Sequence, residues 1–109
     1  MSNDQFRINA IDAVFIVVRT CDASDSTKCT YHVCLAKVFD DPFRNCAMIN
    51  RLDDPGHICR ALQLILPTTN ATKYIDYIPG LLRNIGVPGN VIEEVMSELR
   101  TRRSTCPPQ

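Results

Sequence analysis

Apolar positions along this 109-residue chain change their spacing once, near Asp53. Before that point they come in unbroken or alternating runs, and after it they recur every three or four residues. The first half therefore reads as β-structure and the second as helix. Ala13-Val14-Phe15-Ile16-Val17-Val18 is the longest apolar run. After a polar loop the chain resumes as Tyr31-His32-Val33-Cys34-Leu35-Ala36-Lys37-Val38-Phe39. The pattern predicts a β-hairpin with strands over about 10–20 and 29–39, joined by Asp22, Ser24, Asp25 and Ser26, all good turn formers.

The run from Val14 to Val18 is apolar at every position, so alternation selects no inward face and burial on both faces is the simplest account. The second strand sorts into Tyr31, Val33, Leu35, Lys37 and Phe39 on one face and His32, Cys34, Ala36 and Val38 on the other. Asp40-Asp41-Pro42 ends it, because proline cannot join a ladder. Cys46-Ala47-Met48-Ile49 is a candidate third strand that would complete a meander. Residues 1–9 are polar and read as a flexible tail or an edge.

Asp53-Asp54-Pro55 predicts a helix start, with Asp54 as N-cap and Pro55 in the first turn, where its missing N–H costs nothing. Ile58, Ala61, Leu62, Ile65 and Leu66 follow at helical spacing, and Pro67 closes a helix over 55–66. Thr69 or Asn70 caps a second segment carrying Tyr74, Ile75 and Ile78. Pro79-Gly80 interrupts it before Leu81, Leu82 and Ile85 continue to Gly86, giving two short helices or one kinked one. The last helix starts at Asn90, has Val91, Ile92, Val95, Met96 and Leu99 in one stripe, places Glu93 and Glu94 in its early turns, and ends in arginines. Residues 104–109, with two prolines, read as a tail. The expected architecture is α+β: an N-terminal antiparallel β-hairpin or three-stranded meander, followed by three to four helices packed on one face. The length suits a single domain over 1–109.

Composition narrows the function classes. Twelve basic and twelve acidic residues cancel, which removes the electrostatic footprint of a protein that coats nucleic acid or an anionic membrane. Residues 57–109 carry six Lys/Arg against four Asp/Glu, largely through Arg100, Arg102 and Arg103. Arginines at a helix end complement its dipole; as nucleic-acid ligands they form the alternative reading. The N-terminus has no apolar core of signal-peptide length and no run approaches a transmembrane helix, so an intracellular location, cytoplasmic or nuclear, is expected. There, the six cysteines read as reduced thiols and the sequon Asn70-Ala71-Thr72 has no meaning. Cys21 and Cys29 bracket the hairpin loop, where a cross-strand disulfide is one option in an oxidising setting and an idle or redox-responsive pair the option in the cytosol.

Candidate chemistry is sparse. Cys29-x-x-His32 and His57-x-Cys59 supply two sulfurs and two nitrogens, a set zinc accepts, but a strand puts Cys29 and His32 on opposite faces and the second half is too tight for a finger. His32 and Cys34 share a strand face without an oxyanion hole or positioning motif. Cys59, in the first turn of a helix, is the better placed thiolate. The pairs Asp40-Asp41, Asp53-Asp54 and Glu93-Glu94 sit where strand ends and helix starts favour acids. Arg102-Arg103-Ser104-Thr105 resembles a kinase context of a kind common by chance. Phosphate loops, nucleophile elbows and zincin motifs are absent from the sequence.

These readings converge on a small, non-enzymatic protein-interaction module, regulatory or adaptor-like, without cofactor or small-molecule substrate. It would form a homodimer or bind a larger protein through Phe15, Val17, Tyr31, Val33 and Leu35. A zinc-stabilised domain is the remaining alternative.

Overall fold

A computed structural model of the chain describes residues 3–10, 12–25, 27–37, 41, 43–66 and 72–101. The chain has an α+β fold in two compact units that divide between Asn50 and Arg51, the first all β and the second all helix.

The first unit is a four-stranded antiparallel sheet: β1 (Asn3–Asn9), β2 (Ala13–Cys21), β3 (Cys29–Lys37) and β4 (Cys46–Ile49), in the spatial order β1-β2-β3-β4. One expectation is corrected and one alternative decided. The sheet has four strands rather than two or three, and of the two readings of residues 1–9, tail or edge, residues 3–9 follow the second as a paired edge strand. β1 carries only Phe6 and Ile8 as large apolar residues, so its own composition signals no strand. It is held by seven-residue pairing with β2 and by the ion pair of Asp4 with Arg19, directly opposite each other in that register.

Register sorts the side chains. Phe15, Val17 and Arg19 on β2 stand beside Leu35, Val33 and Tyr31 on β3, and Ala47 and Ile49 on β4 continue that face. Phe15, Val17, Val33 and Ile49 there have no exposed surface at all. The other face holds a smaller cluster, Ile16, Cys34 and Ala36, with Val14 partly buried against it. The five-residue apolar run thus divides between the faces, as its lack of alternation implied. In the β2–β3 loop, Asp22 Oδ1 accepts from the N–H and hydroxyl of Ser24 at 2.9 and 2.8 Å. Asp25 Oδ1 likewise accepts from the N–H and hydroxyl of Thr27, at 3.0 and 2.6 Å. These bonds hold both carboxyls below their ordinary value, the backbone N–H contributing most at Asp22 and the hydroxyl at Asp25.

The second unit comprises α1 (Pro55–Ile65), α2 (Thr72–Ile75), α3 (Ile78–Ile85) and α4 (Gly89–Thr101), of which α2 is a single turn. Asp54 caps α1 as expected, its side chain accepting from the His57 N–H at 3.2 Å, with Pro55 in the first turn. The break between α2 and α3 falls at residues 76–77, ahead of Pro79-Gly80. Pro79 lies in the first turn of α3, where no N–H is needed. Gly86 ends α3 in the left-handed conformation (φ 96°), its N–H donating to Arg83 and Leu82 carbonyls while the Val87 N–H also reaches Leu82. α4 begins at Gly89, one residue before the expected cap. Its stripe Val91, Ile92, Val95, Met96 and Leu99 is buried, as the spacing predicts, and it packs along both α1 and α3. Pro67, Thr69, Asn70, the tail 104–109, Val38, Phe39, Asp40 and Pro42 lie outside the described residues.

Candidate functional site

The chemistry-bearing residues of the sheet are its cysteines, and the ladder explains their state. The Asp22 N–H donates to the Lys28 carbonyl at 2.8 Å and the Leu35 N–H to the Asn45 carbonyl at 3.0 Å. In an antiparallel ladder hydrogen-bonded pairs alternate with closer, non-hydrogen-bonded ones. The neighbouring pairs, Cys21 with Cys29 and Cys34 with Cys46, are therefore of the close kind, with Cα separations of 3.9 and 4.0 Å, and both are disulfides. Cys59 in α1 is disulfide-bonded too, and among the described residues no cysteine is free.

The reading of the cysteines as reduced thiols is corrected accordingly, for a register reason. Cys34 and Cys46 become opposite neighbours only once β3 and β4 are paired, which sequence spacing does not reveal.

This removes two kinds of chemistry from the residues that suggested them. A disulfide sulfur is neither a thiolate nucleophile nor a zinc ligand. Cys29 and Cys59 thus offer no thiolate to the candidate zinc set. Cys34, buried beside Ile16 and Ala36, offers none to His32. His32 is exposed on the β3 face opposite Cys29. His57 is half-buried in the first turn of α1; partial burial pulls its pKa below the ordinary 6.5, helped by Arg51 and Arg60 and opposed by Asp54. Among the described residues no group of three or more His, Cys, Asp or Glu side chains is placed to hold a metal ion.

The five residues expected to meet a partner lie on one face of the sheet, as the alternation implied. All are buried: Phe15, Val17 and Val33 completely, Leu35 to 6% exposure and Tyr31 to 9%. In this conformation they present almost no surface to a second molecule. Of the carboxylate pairs, Asp54 is the α1 cap and Glu93 and Glu94 are exposed in the second turn of α4.

The helical unit contains an open groove of about 430 Å³ between α3 and α4. Its floor is apolar: Ile92 and Met96 of α4, both 6% exposed, with half-buried Pro79 of α3. Its rim is charged, with Arg83 of α3, Arg100 in the last turn of α4, and Glu93, also of α4. All three are exposed, and none takes part in an ion pair among the described residues. Arg100 was legible as a candidate for anions; Arg102 and Arg103 lie outside the described residues. Arg83 was missed. It follows Pro79 by one turn, and Arg100 follows Met96 by one turn, but the packing of α3 on α4 that brings these residues to one groove is a tertiary fact.

No protein-family model, no characterised protein and no solved structure matches this chain. Among the described residues no helix is long and apolar enough to cross a membrane.

Proposed function

We propose that this chain is a disulfide-stapled, non-enzymatic protein-interaction module that works in an oxidising compartment. The observation that carries the reading is the open α3–α4 groove, whose rim arginines Arg83 and Arg100 are exposed and take part in no ion pair among the described residues. The absence of catalytic motifs from the sequence supports a binding role, as does the conversion of the candidate nucleophiles Cys34 and Cys59 to disulfides. Sequence reading assigned the cysteines to a reducing cytoplasm or nucleus. The two sheet disulfides and the disulfide-bonded Cys59 favour the opposite setting, since glutathione and thioredoxin keep cytosolic thiols reduced. Burial of Phe15, Val17, Tyr31, Val33 and Leu35 favours the helices over this sheet face as the surface for a partner.

The partner is a larger protein or a second copy of this chain. The test is the mass of the tagged protein drawn gently from its own cells, by light scattering without reductant. A stoichiometric complex supports the reading, twice 12.3 kDa identifying the homodimer; a free 12.3 kDa monomer throughout sinks it. Nucleic acid is the second reading. Arg83 and Arg100 favour it, while Glu93 beside them and the zero net charge oppose it.

A further inference from the structure

We infer that the Cys34–Cys46 disulfide is a thiol-opened latch at the β4 edge of the sheet: a dithiol reductant attacks it at exposed Cys46 ahead of every other described half-cystine, and reduction frees the start of β4 while β1, β2 and β3 stay paired. The inference goes beyond the interaction-module reading and does not rest on the α3–α4 groove. Accessibility sets the order. Disulfide exchange begins when a thiolate reaches one of the two sulfurs, so exposed links are the labile ones and enclosed links persist. Cys46 is exposed, whereas Cys21 is buried, Cys29 is half-buried and Cys59 has no exposed surface. Cys34, buried beside Ile16 and Ala36, is closed to attack, so the reagent enters this link from one side.

The exchange balances between the chain and its reductant. The attacking thiolate bonds to Cys46 Sγ, the bond to Cys34 breaks, and its electron pair leaves on Cys34 Sγ, which takes a proton. The second thiol of the reductant, giving up its proton, then displaces Cys46, which leaves as a thiolate and is protonated; the reductant departs as a disulfide. The chain has gained the two electrons and two protons that the dithiol lost. Position gives the step its effect. β4 is four residues long and pairs only with β3. Ala47 and Ile49 are buried and anchor its far half, but Phe43, Arg44, Asn45 and Cys46 at its start are all exposed. There the Leu35 N–H donates to the Asn45 carbonyl at 3.0 Å, immediately beside the disulfide, and opening the link removes the covalent restraint on that bond. Phe43 and Met48, two of the three exposed large apolar side chains among the described residues, flank Cys46, so the loosened segment carries apolar surface.

The experiment uses dithiothreitol as the dithiol, added in steps to the oxidised full-length chain. Each sample is quenched in acid, unfolded, alkylated and mapped cysteine by cysteine by mass spectrometry. Cys34 and Cys46 should be labelled at least about tenfold faster than Cys21, Cys29 and Cys59. Glutathione, a monothiol that cannot complete the second step, should be trapped on Cys46. Another pair opening first, all links opening together, glutathione on Cys34, or a chain that keeps this link until it unfolds overturns the proposal. Amide hydrogen exchange reads the consequence. In the dithiothreitol-opened chain the Leu35 amide should exchange at least about tenfold faster, while the Asp22 amide, which donates to the Lys28 carbonyl at 2.8 Å, keeps its rate. An unchanged Leu35 amide overturns the latch, and so does loss of protection throughout the sheet, which would be global unfolding.

Discussion

Replacing Cys34 and Cys46 together by alanine should destabilise the chain by about 3–4 kcal/mol. In the chain-entropy account, a cross-link stabilises by restricting the unfolded ensemble, and a sequence separation of 12 corresponds to about 2.8 kcal/mol at 25 °C. Loss of the Cys34 sulfur from its place beside Ile16 and Ala36, where it is 1% exposed, adds roughly 1 kcal/mol of the same sign. Cys21→Ala/Cys29→Ala opens a shorter loop, of separation 8, worth about 2.5 kcal/mol. Urea unfolding followed by far-UV circular dichroism, without reductant, reads both. With a slope on the order of 1.5 kcal/mol/M, the first variant should lose about 2 M in midpoint, and its slope should rise, because an unlinked chain exposes more surface on unfolding. An unchanged midpoint and slope would refute the reasoning. So would alkylation of Cys34 and Cys46 in the unfolded, unreduced parent, which reports free thiols directly.

Phe15→Ala, at a position with no exposed surface, should cost about 3–5 kcal/mol by the same urea assay; a loss below about 1 kcal/mol would show that the site opens to solvent. Gly86→Ala forces a Cβ into the left-handed region and should cost about 1 kcal/mol, by conformation alone since the nearest atom, Leu52 Cδ1, stands at an ordinary 3.9 Å. His57 has a folded pKa below its ordinary 6.5, so the unfolded chain takes up the proton first. Stability should hold above about pH 6.5, fall as pH drops from there through the folded value, and then level off. His57→Gln should remove that part of the profile, and an unchanged slope between parent and variant would refute the assignment.

Patterns carried by local spacing were legible. The α4 stripe, the Asp54 cap and the two faces of β3 follow from periods of 3.6 and 2 and from one side-chain-to-backbone hydrogen bond, and each appears at its expected residues. β1 was illegible as a strand because Asn3, Asp4, Gln5, Arg7 and Asn9 carry no alternating apolar signal; its order comes from pairing with β2. Pro79-Gly80 misled because proline is a breaker only inside a helix, and the chain had already turned at residues 76–77. Cys21–Cys29 could be suspected from the loop they bracket, whereas Cys34–Cys46 required the β3–β4 register. The groove was beyond reach for the same reason. Arg83 and Arg100 are seventeen residues apart, and only the packing of α3 along α4 lines them on one channel.

The two sheet disulfides leave β3 from opposite faces, Cys29 toward β2 and Cys34 toward β4, five residues apart. Under tension this makes β3 a splice between two closed links. Force entering the chain at β2 passes through one sulfur bridge, along Cys29 to Cys34, and out through the other into β4. The segments 22–28 and 35–45 carry none of it. In a pulled chain the two sheet links should together withhold roughly 60–70 Å of contour length that reduction releases, the extended span of the roughly twenty residues they enclose, apart from the length held by the disulfide at Cys59. A single-molecule stretching trace would show that length released on adding reductant, and the same shielding means that a tug on either end of the sheet cannot part Cys46, the first residue of β4, from Cys34 of β3.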